Sequence, residues 1–281
     1  GIMLLEHLGD IVACEPVARY LKREIPDACI VWGVKETYRE LFDANPSVDM
    51  VLSLHCLTER LLLKRTGFFD QFIDLHLSGR HCSLCRKPLM RDDNSSVNLK
   101  NYFSHGGILT AFSLAAGLPP LDEAPRVYIP EVVTRQVDGL GLPGRFVAVN
   151  CTSNSAKKNW PVDKWLALMK AMPGLPFVEV GLQSRLSGCM NLCGHLSILE
   201  TAEVIRRAEL FIGIDSGPSH LANAVRTPGV ILMGRHLGFD AYQPFSGAYR
   251  NGERVEIIQA GDLVDTISVE TVVQAARRLL S

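Results

Sequence analysis

The chain has 281 residues, 47% of them hydrophobic, and a mean hydropathy of +0.12. That is ample apolar side chain for one large α/β domain or two domains of about 150 residues, and it excludes a disordered or fibrous chain. The 29 lysines and arginines against 30 acids leave a net charge of −1, so no bulk field is available to hold a nucleic acid. No stretch approaches the roughly 18 to 20 apolar residues of a membrane span, and the N-terminus lacks a basic segment followed by an apolar run. A cytoplasmic protein is expected, with peripheral contact at the inner face of a membrane left open. Eight cysteines at irregular spacing are not needed as staples in a chain this apolar, so reduced thiols are expected.

In chain order, residues 2–5 form a short apolar run that ends at Gly9-Asp10. Apolar residues then recur at Ile11, Val12, Val17, Ala18 and Leu21, which reads as strand, tight turn, helix. Residues 28–32, 48–52 and 72–75 read as further strands, with a helix over 36–42. Strands separated by helices predict a parallel sheet with right-handed crossovers. The pattern breaks over 77–104, a polar, basic stretch with the run Arg91-Asp92-Asp93-Asn94-Ser95-Ser96, and long loops of this kind are often functional. A helix follows over 108–117. A glycine-rich break at 139–144 divides the chain into expected domains 1–138 and 139–281.

Strand and helix alternate again in the second half, with strands at 146–149, 177–180, 210–214 and 229–233 and helices at 162–172, 197–208, 218–225 and 269–280. The run Gly139-Leu140-Gly141-Leu142-Pro143-Gly144 fits G-x-G-x-x-G, yet it precedes a strand, where a dinucleotide fingerprint must follow one. It is therefore a linker, and a nicotinamide dehydrogenase is disfavoured.

Two segments of the second half carry chemistry. In Asp215-Ser216-Gly217-Pro218-Ser219-His220 a buried strand turns into a helix, with Pro218 placed at the expected first helical position. The open N–H groups and the helix dipole suit a phosphate or carboxylate. A simple helix cap by Asp215 and Ser216 is the competing reading. The segment from Thr152 through Ser153, Asn154, Lys157 and Lys158 to Pro161 places small polar residues and two compact cations after a strand, against the alternative of a solvated loop. Both lie at carboxyl ends of strands, where open α/β sheets bind ligands. In the first half, Asp10 reads either as an N-cap or as a group able to take a proton from a hydroxyl.

Cys82-Ser83-Leu84-Cys85 has metal-ligand spacing, and Cys189 with Cys193 would complete four thiolates; free thiols are the favoured account, and no catalytic metal is expected. His7, His55, His76, His105 and His236 have no partner spacing and default to surface or satisfied roles. No Asp-x-Asp occurs, which argues against a transferase that holds its donor through a carboxylate-bound cation.

These motifs resemble glycosyltransferase family 9, the lipopolysaccharide heptosyltransferases and their relatives. The resemblance runs through Gly9-Asp10-Ile11-Val12 to Pro16, Pro26-Asp27-Ala28, Asn45-Pro46-Ser47-Val48-Asp49, Lys158-Asn159-Trp160-Pro161, the turn at 194–197, and above all Asp215-Ser216-Gly217-Pro218-Ser219-His220-Leu221-Ala222-Asn223-Ala224. It implies a GT-B architecture of class α/β, two Rossmann-like domains with parallel sheets facing across a cleft, the donor held by the C-terminal one.

By position, the resemblance implies Asp10 as general base and Lys158, with Ser153 and Asn154, at the donor diphosphate. Asp215, Ser216, Gly217, Ser219 and His220 would hold phosphates and sugar, and Gln183 and Leu196 would meet base or ribose. The implied activity is inverting, metal-independent transfer of a sugar, heptose from ADP-heptose first, to a glycan or lipid-linked hydroxyl acceptor in lipopolysaccharide or surface-glycan assembly, without a cofactor. The implied partners are a nucleotide-diphosphate sugar and that acceptor. A nucleotide-sugar-binding or scaffold protein of the same fold is the alternative. The loop before Gly9-Asp10 is shorter than the family pattern, and Lys157 stands where an acidic or polar residue is usual.

Overall fold

The computed structural model describes residues 1–89, 95–234, 242–261 and 263–281. His236 and residues 91–94 of the polar run lie outside them. The chain divides into two compact units, Gly1–Tyr128 with Gln243–Gly247, and Ile129–Tyr242 with Ala248–Ser281.

The first unit carries β1 (Ile2–Met3), α1 (Leu8–Ala13), α2 (Pro16–Glu24), β2 (Val31–Val34), α3 (Glu40–Asp43), β3 (Met50–Ser53), α4 (Leu57–Thr66), β4 (Ile73–Asp74) and α5 (Ile108–Ala115). Its strands pair in parallel in the order β3-β2-β1-β4. The first helix begins earlier than the sequence pattern suggests, so that Gly9 and Asp10 lie inside it, and Pro16 opens α2 where its missing N–H costs nothing. Helix α4 was not expected: its leucines follow no clean helical period, and Arg60 is its buried residue.

The second unit carries α6 (Glu131–Asp138), β5 (Val147–Asn150), α7 (Val162–Ala171), β6 (Phe177–Glu179), β7 (Met190–Asn191), α8 (Ile198–Arg207), β8 (Leu210–Ile214), α9 (Gly217–Ala224), β9 (Gly229–Met233), β10 (Val255–Gln259) and α10 (Val269–Leu280). Its six-stranded parallel sheet runs β10-β9-β8-β5-β6-β7. Strands β5, β8 and β9 are buried along their whole length, as expected for a sheet covered on both faces. One core gathers Val147, Val149, Trp165, Leu168, Ile212, Ile214, Leu232 and Val272, with Trp160 edge-on to Trp165 at 5.1 Å and its indole N–H donating to Ile267 O at 3.0 Å.

The division between units precedes the expected one at 138/139. Helix α6 belongs to the second unit, tied to α8 by Arg207, which reaches Thr134 O at 2.9 Å and Asp138 at 2.7 Å. The glycines at 139–144 fall between α6 and β5, a loop before a strand, as expected. The return of Gln243–Gly247 to the first unit left no mark in the sequence. There Gly247 N–H donates to Asp122 O at 3.0 Å with φ +59, and a Cβ on it would stand 2.4 Å from Ala124.

Both sheets reverse their strand order beside their first strand. In the second unit the chain builds outward from β5 through β6 and β7, then crosses over to β8. The crevice beyond the carboxyl ends of β5 and β8 is thus a topological switch point, the place where open α/β sheets present loops to a ligand.

Candidate functional site

Parallel pairing places Asn150, the last residue of β5, opposite Gly213 of β8. The segments that leave these strands therefore start side by side. Asn150 joins them: its amide Nδ2 donates to Val180 O at 2.9 Å, and its Oδ1 accepts from Ser216 Oγ at 2.7 Å. Gly181, at φ +133, gives that amide room, since a Cβ there would lie 2.5 Å from Asn150 Nδ2.

After β5 the chain makes a short 3-10 turn over Ala156–Lys158. Ser153 is fixed just before it, its N–H donating to Asn159 Oδ1 at 2.9 Å and its hydroxyl to Ser155 O at 2.8 Å, while Asn154 is exposed. The turn delivers Lys158, whose Nζ lies 2.5 Å from Asp215 Oδ2. The Tyr242 hydroxyl donates to the same carboxylate oxygen, and the tyrosine ring centroid stands 5.7 Å from Lys158 Nζ. Lys157 points to solvent.

Asp215 follows β8 and is buried. Burial alone would raise its carboxyl, but Lys158 first, then the Tyr242 hydroxyl and His220, hold it below the usual carboxylate range. Ser216 is the N-cap of α9, with Gly217 first and Pro218 second in the helix, one place later than expected for the proline. Ser219 reaches back, its Oγ accepting from Ser216 N at 3.2 Å and donating to Ser216 O at 2.6 Å. His220 is buried one residue on; burial draws its pKa down to about 4, Asp215 opposing and Lys158 assisting the shift. The imidazole is therefore neutral near pH 7.

The loops after β6 and β7 adjoin this corner. The Gln183 side is reached from β5 by Thr152 Oγ1, which donates to Gln183 O at 3.5 Å, and Gly194 N–H donates to Gly181 O at 2.8 Å. Leu196 is half-buried just before Ser197, the N-cap of α8, which forms a reciprocal capping box with Glu200. Glu179, fully buried at the end of β6, orders the same loop by accepting from Ser184 Oγ at 2.6 Å, Arg185 N at 2.8 Å and Leu186 N at 3.2 Å.

Asp10 belongs to the first unit. The N-cap of α1 is His7, and Asp10 is the third helical residue, its Oδ2 accepting from His7 N at 3.3 Å. The same corner holds Glu6, ion-paired to Arg80 at 3.2 Å. Beneath it lies a buried group, Arg60, Asp74 and His76: Arg60 Nη1 donates to one Asp74 oxygen, His76 Nδ1 meets the other at 2.7 Å, and Leu5 N–H donates to His76 Nε2 at 2.7 Å. Since Nε2 accepts, the proton sits on Nδ1 and points at Asp74. This network ties β1, α4 and β4 together under the turn that carries Asp10.

All eight cysteines are free thiols. Cys82 and Cys85 lie in the first unit, Cys189 and Cys193 in the second, where burial, then Glu179 and Cys189, push the Cys193 thiol up to about 12 and away from the thiolate a metal needs.

Residues 178–244, which run from β6 past β9 and contain Asp215 to His220, match the model of glycosyltransferase family 9 (heptosyltransferase). The lipopolysaccharide heptosyltransferase 3 of Escherichia coli is 23% identical over 275 residues, covering 80% of each chain. The chain is thus heptosyltransferase-like, and its resemblance to glycosyltransferase family 9 is concentrated in residues 178–244. Two solved structures show the fold: a family 9 glycosyl transferase from Veillonella parvula, at TM-score 0.73 and 17% identity over 99% of this chain and 96% of that one, and an E. coli ADP-heptose LPS heptosyltransferase II, at TM-score 0.70 and 16% identity over 99% and 97%. The chain thus has a GT-B, α/β architecture with two Rossmann-like units, and it is a glycosyltransferase.

Sequence reasoning missed Tyr242, Asn150 and Glu179. A carboxylate inside the apolar run Phe177-Val178-Glu179-Val180 was a readable signal, because a charge on a buried strand demands partners. Tyr242 carried none; it follows β9 in a stretch without periodicity.

Proposed function

We propose that this chain is an inverting, metal-independent glycosyltransferase that moves a sugar, heptose from ADP-heptose first, onto a hydroxyl of a glycan or lipid-linked acceptor in lipopolysaccharide or surface-glycan assembly. The observation that carries the reading is the Lys158 ammonium held by Asp215 at 2.5 Å beside the N-terminus of α9, at the switch point of the six-stranded sheet. An ammonium beside a helix N-terminus suits a diphosphate, which a side-chain cation and the helix dipole can neutralise together. The relative and the solved structure named for LPS heptosyltransferases support heptose and ADP as the first donor to try.

In this reading Asp215 and Tyr242 position Lys158 from below, while Ser153, Asn154, Ser216, Gly217, Ser219 and His220 line the phosphates and sugar, and Gln183 and Leu196 the nucleoside. The acceptor oxygen attacks the anomeric carbon, its proton passes to Asp10, and the bond from that carbon to the diphosphate oxygen breaks with inversion. Negative charge growing on the departing diphosphate is met by Lys158 and the N-terminal dipole of α9, a form of stabilisation worth most in a fixed, partly dry site. The first unit, with Asp10, takes the acceptor; the second takes the donor.

The test is release of ADP from ADP-heptose in the presence of a lipopolysaccharide-core acceptor, alongside thermal shift with ADP-, GDP- and UDP-sugars. A shift with one donor and turnover with acceptor support the reading; donor binding without turnover on any acceptor or on water supports a binding or scaffold role. No shift with any of the three overturns it.

A further inference from the structure

The polar stretch between β4 and α5 contains a feature that sugar transfer does not use. Residues 79–89 fold back as a hairpin, with Gly79 N–H donating to Leu89 O at 3.2 Å, Leu89 N–H to Arg80 O at 2.6 Å and Cys82 N–H to Lys87 O at 2.9 Å. At its tip the Cys82-Ser83-Leu84-Cys85 turn closes through Arg86 N–H to Cys82 O at 3.0 Å, with Arg86 in the left-handed region at φ 60. This turn points Cys85 N–H at Cys82 Sγ, 3.5 Å away, and sets two thiols side by side.

A third thiol arrives from a distant part of the sequence. Cys56 is the N-cap of α4, its Sγ accepting from Thr58 N at 3.4 Å and lying 3.4 Å from Cys82 Sγ. The sulfurs of Cys56, Cys82 and Cys85 all lie within 4.8 Å of one another, and Cys56 and Cys82 are buried. Thr58 Oγ1 approaches Cys85 Sγ at 3.2 Å. Four sulfur-to-metal bonds of about 2.3 Å in a tetrahedron put sulfurs about 3.7 Å apart, inside the range found here. A disulfide, which draws two sulfurs to about 2 Å, would use two of the thiols and leave the third idle.

We propose that Cys56, Cys82 and Cys85 form a three-thiolate site for a soft divalent metal ion, zinc or ferrous iron, with water completing the coordination. On binding, the three thiols release their protons to solvent and the metal gains three sulfur bonds. The role is structural. The ion pins the hairpin to the start of α4, and the hairpin carries Arg80, whose guanidinium reaches Glu6 at 3.2 Å in the turn that precedes Asp10. The metal site thus braces the β1–α1 corner and takes no part in the transfer step.

The experiment is elemental analysis of the full chain purified without chelator, beside C82S/C85S and C189S/C193S. About one equivalent of zinc or iron per chain, lost in C82S/C85S and kept in C189S/C193S, is the expected result. Because C82S/C85S can fail to fold, wild-type protein stripped of metal under reducing conditions is also titrated with Co2+, which gives a thiolate-to-cobalt charge-transfer band at one equivalent if the three sulfurs bind. Absence of both metal and band, metal retained by folded C82S/C85S, or a Cys56–Cys82 disulfide in protein isolated under reducing conditions overturns the proposal. None of these outcomes depends on whether sugar transfer is observed.

Discussion

Seven residues after β1 an aspartate lies within the first turn of a helix, half-buried, with a main-chain N–H 3.3 Å from its carboxylate. At the end of β8 another aspartate lies just before a helix, buried, with an ammonium at 2.5 Å and a tyrosine hydroxyl on the same oxygen. Both corners are strand, turn and helix beside a reversal of strand order. Asp215 is held as an anion well below neutral pH and is thereby spent on placing Lys158. Asp10 sits among acidic neighbours; burial first and then its charge help to raise the Cys14 thiol and the Tyr38 hydroxyl. One corner is built to hold a cation in place, the other to present a carboxylate.

Exchanging the two roles should produce unequal damage. Asp10→Asn keeps a side chain able to accept from His7 N–H but removes the proposed base, so transfer should fall by about 10²- to 10⁴-fold with the thermal midpoint unchanged; initial rates and a melting curve check this, and near-normal rates would remove Asp10 from the mechanism. A smaller effect is expected at His220. Its folded pKa of about 4 lies below the ordinary 6.5, so between these values the unfolded chain takes up a proton that the folded chain refuses. Stability should be full above pH 6.5 and decline by on the order of 3 kcal/mol as pH falls to 4. Urea denaturation at pH 7 and pH 5 should show that slope in the wild type and a flatter one in His220→Gln.

Asp215→Asn should cost less, about 2 kcal/mol of stability, because Lys158 is partly exposed and can turn to water; its signature is a loss of donor affinity together with stability. The smallest effect is expected away from both corners. Ser197→Ala removes one half of the α8 capping box and should cost about 1 kcal/mol in the same denaturation assay, with transfer rates unchanged; a rate loss there would mean that the Leu196 turn depends on the cap.

The second unit was the more legible of the two. Its strands are buried apolar runs, and Lys158 and Asp215 both flank such runs, so their meeting follows from the parallel pairing of β5 with β8. The edge strand β10 and helix α6 escaped because neither shows a full apolar period, and the second depends on Arg207 to hold it. In the first unit, β1 and β4 have two residues each, and the order beneath Asp10 comes from Arg60, Asp74 and His76, three polar residues with no common spacing. Networks assembled across strands leave no periodic trace. The thiol cluster is the instructive intermediate: Cys82 and Cys85 were visible as a motif, whereas Cys56 joins them by the fold alone.

In the proposed reaction the β8–α9 corner takes the donor diphosphate through Lys158. Calorimetric titration of ADP into wild type, Lys158→Ala and Asp10→Asn tests it most directly. The prediction is tenfold or greater weakening in Lys158→Ala, about 1.4 kcal/mol or more, with Asp10→Asn equal to wild type. Equal ADP affinity in a folded Lys158→Ala protein would contradict it.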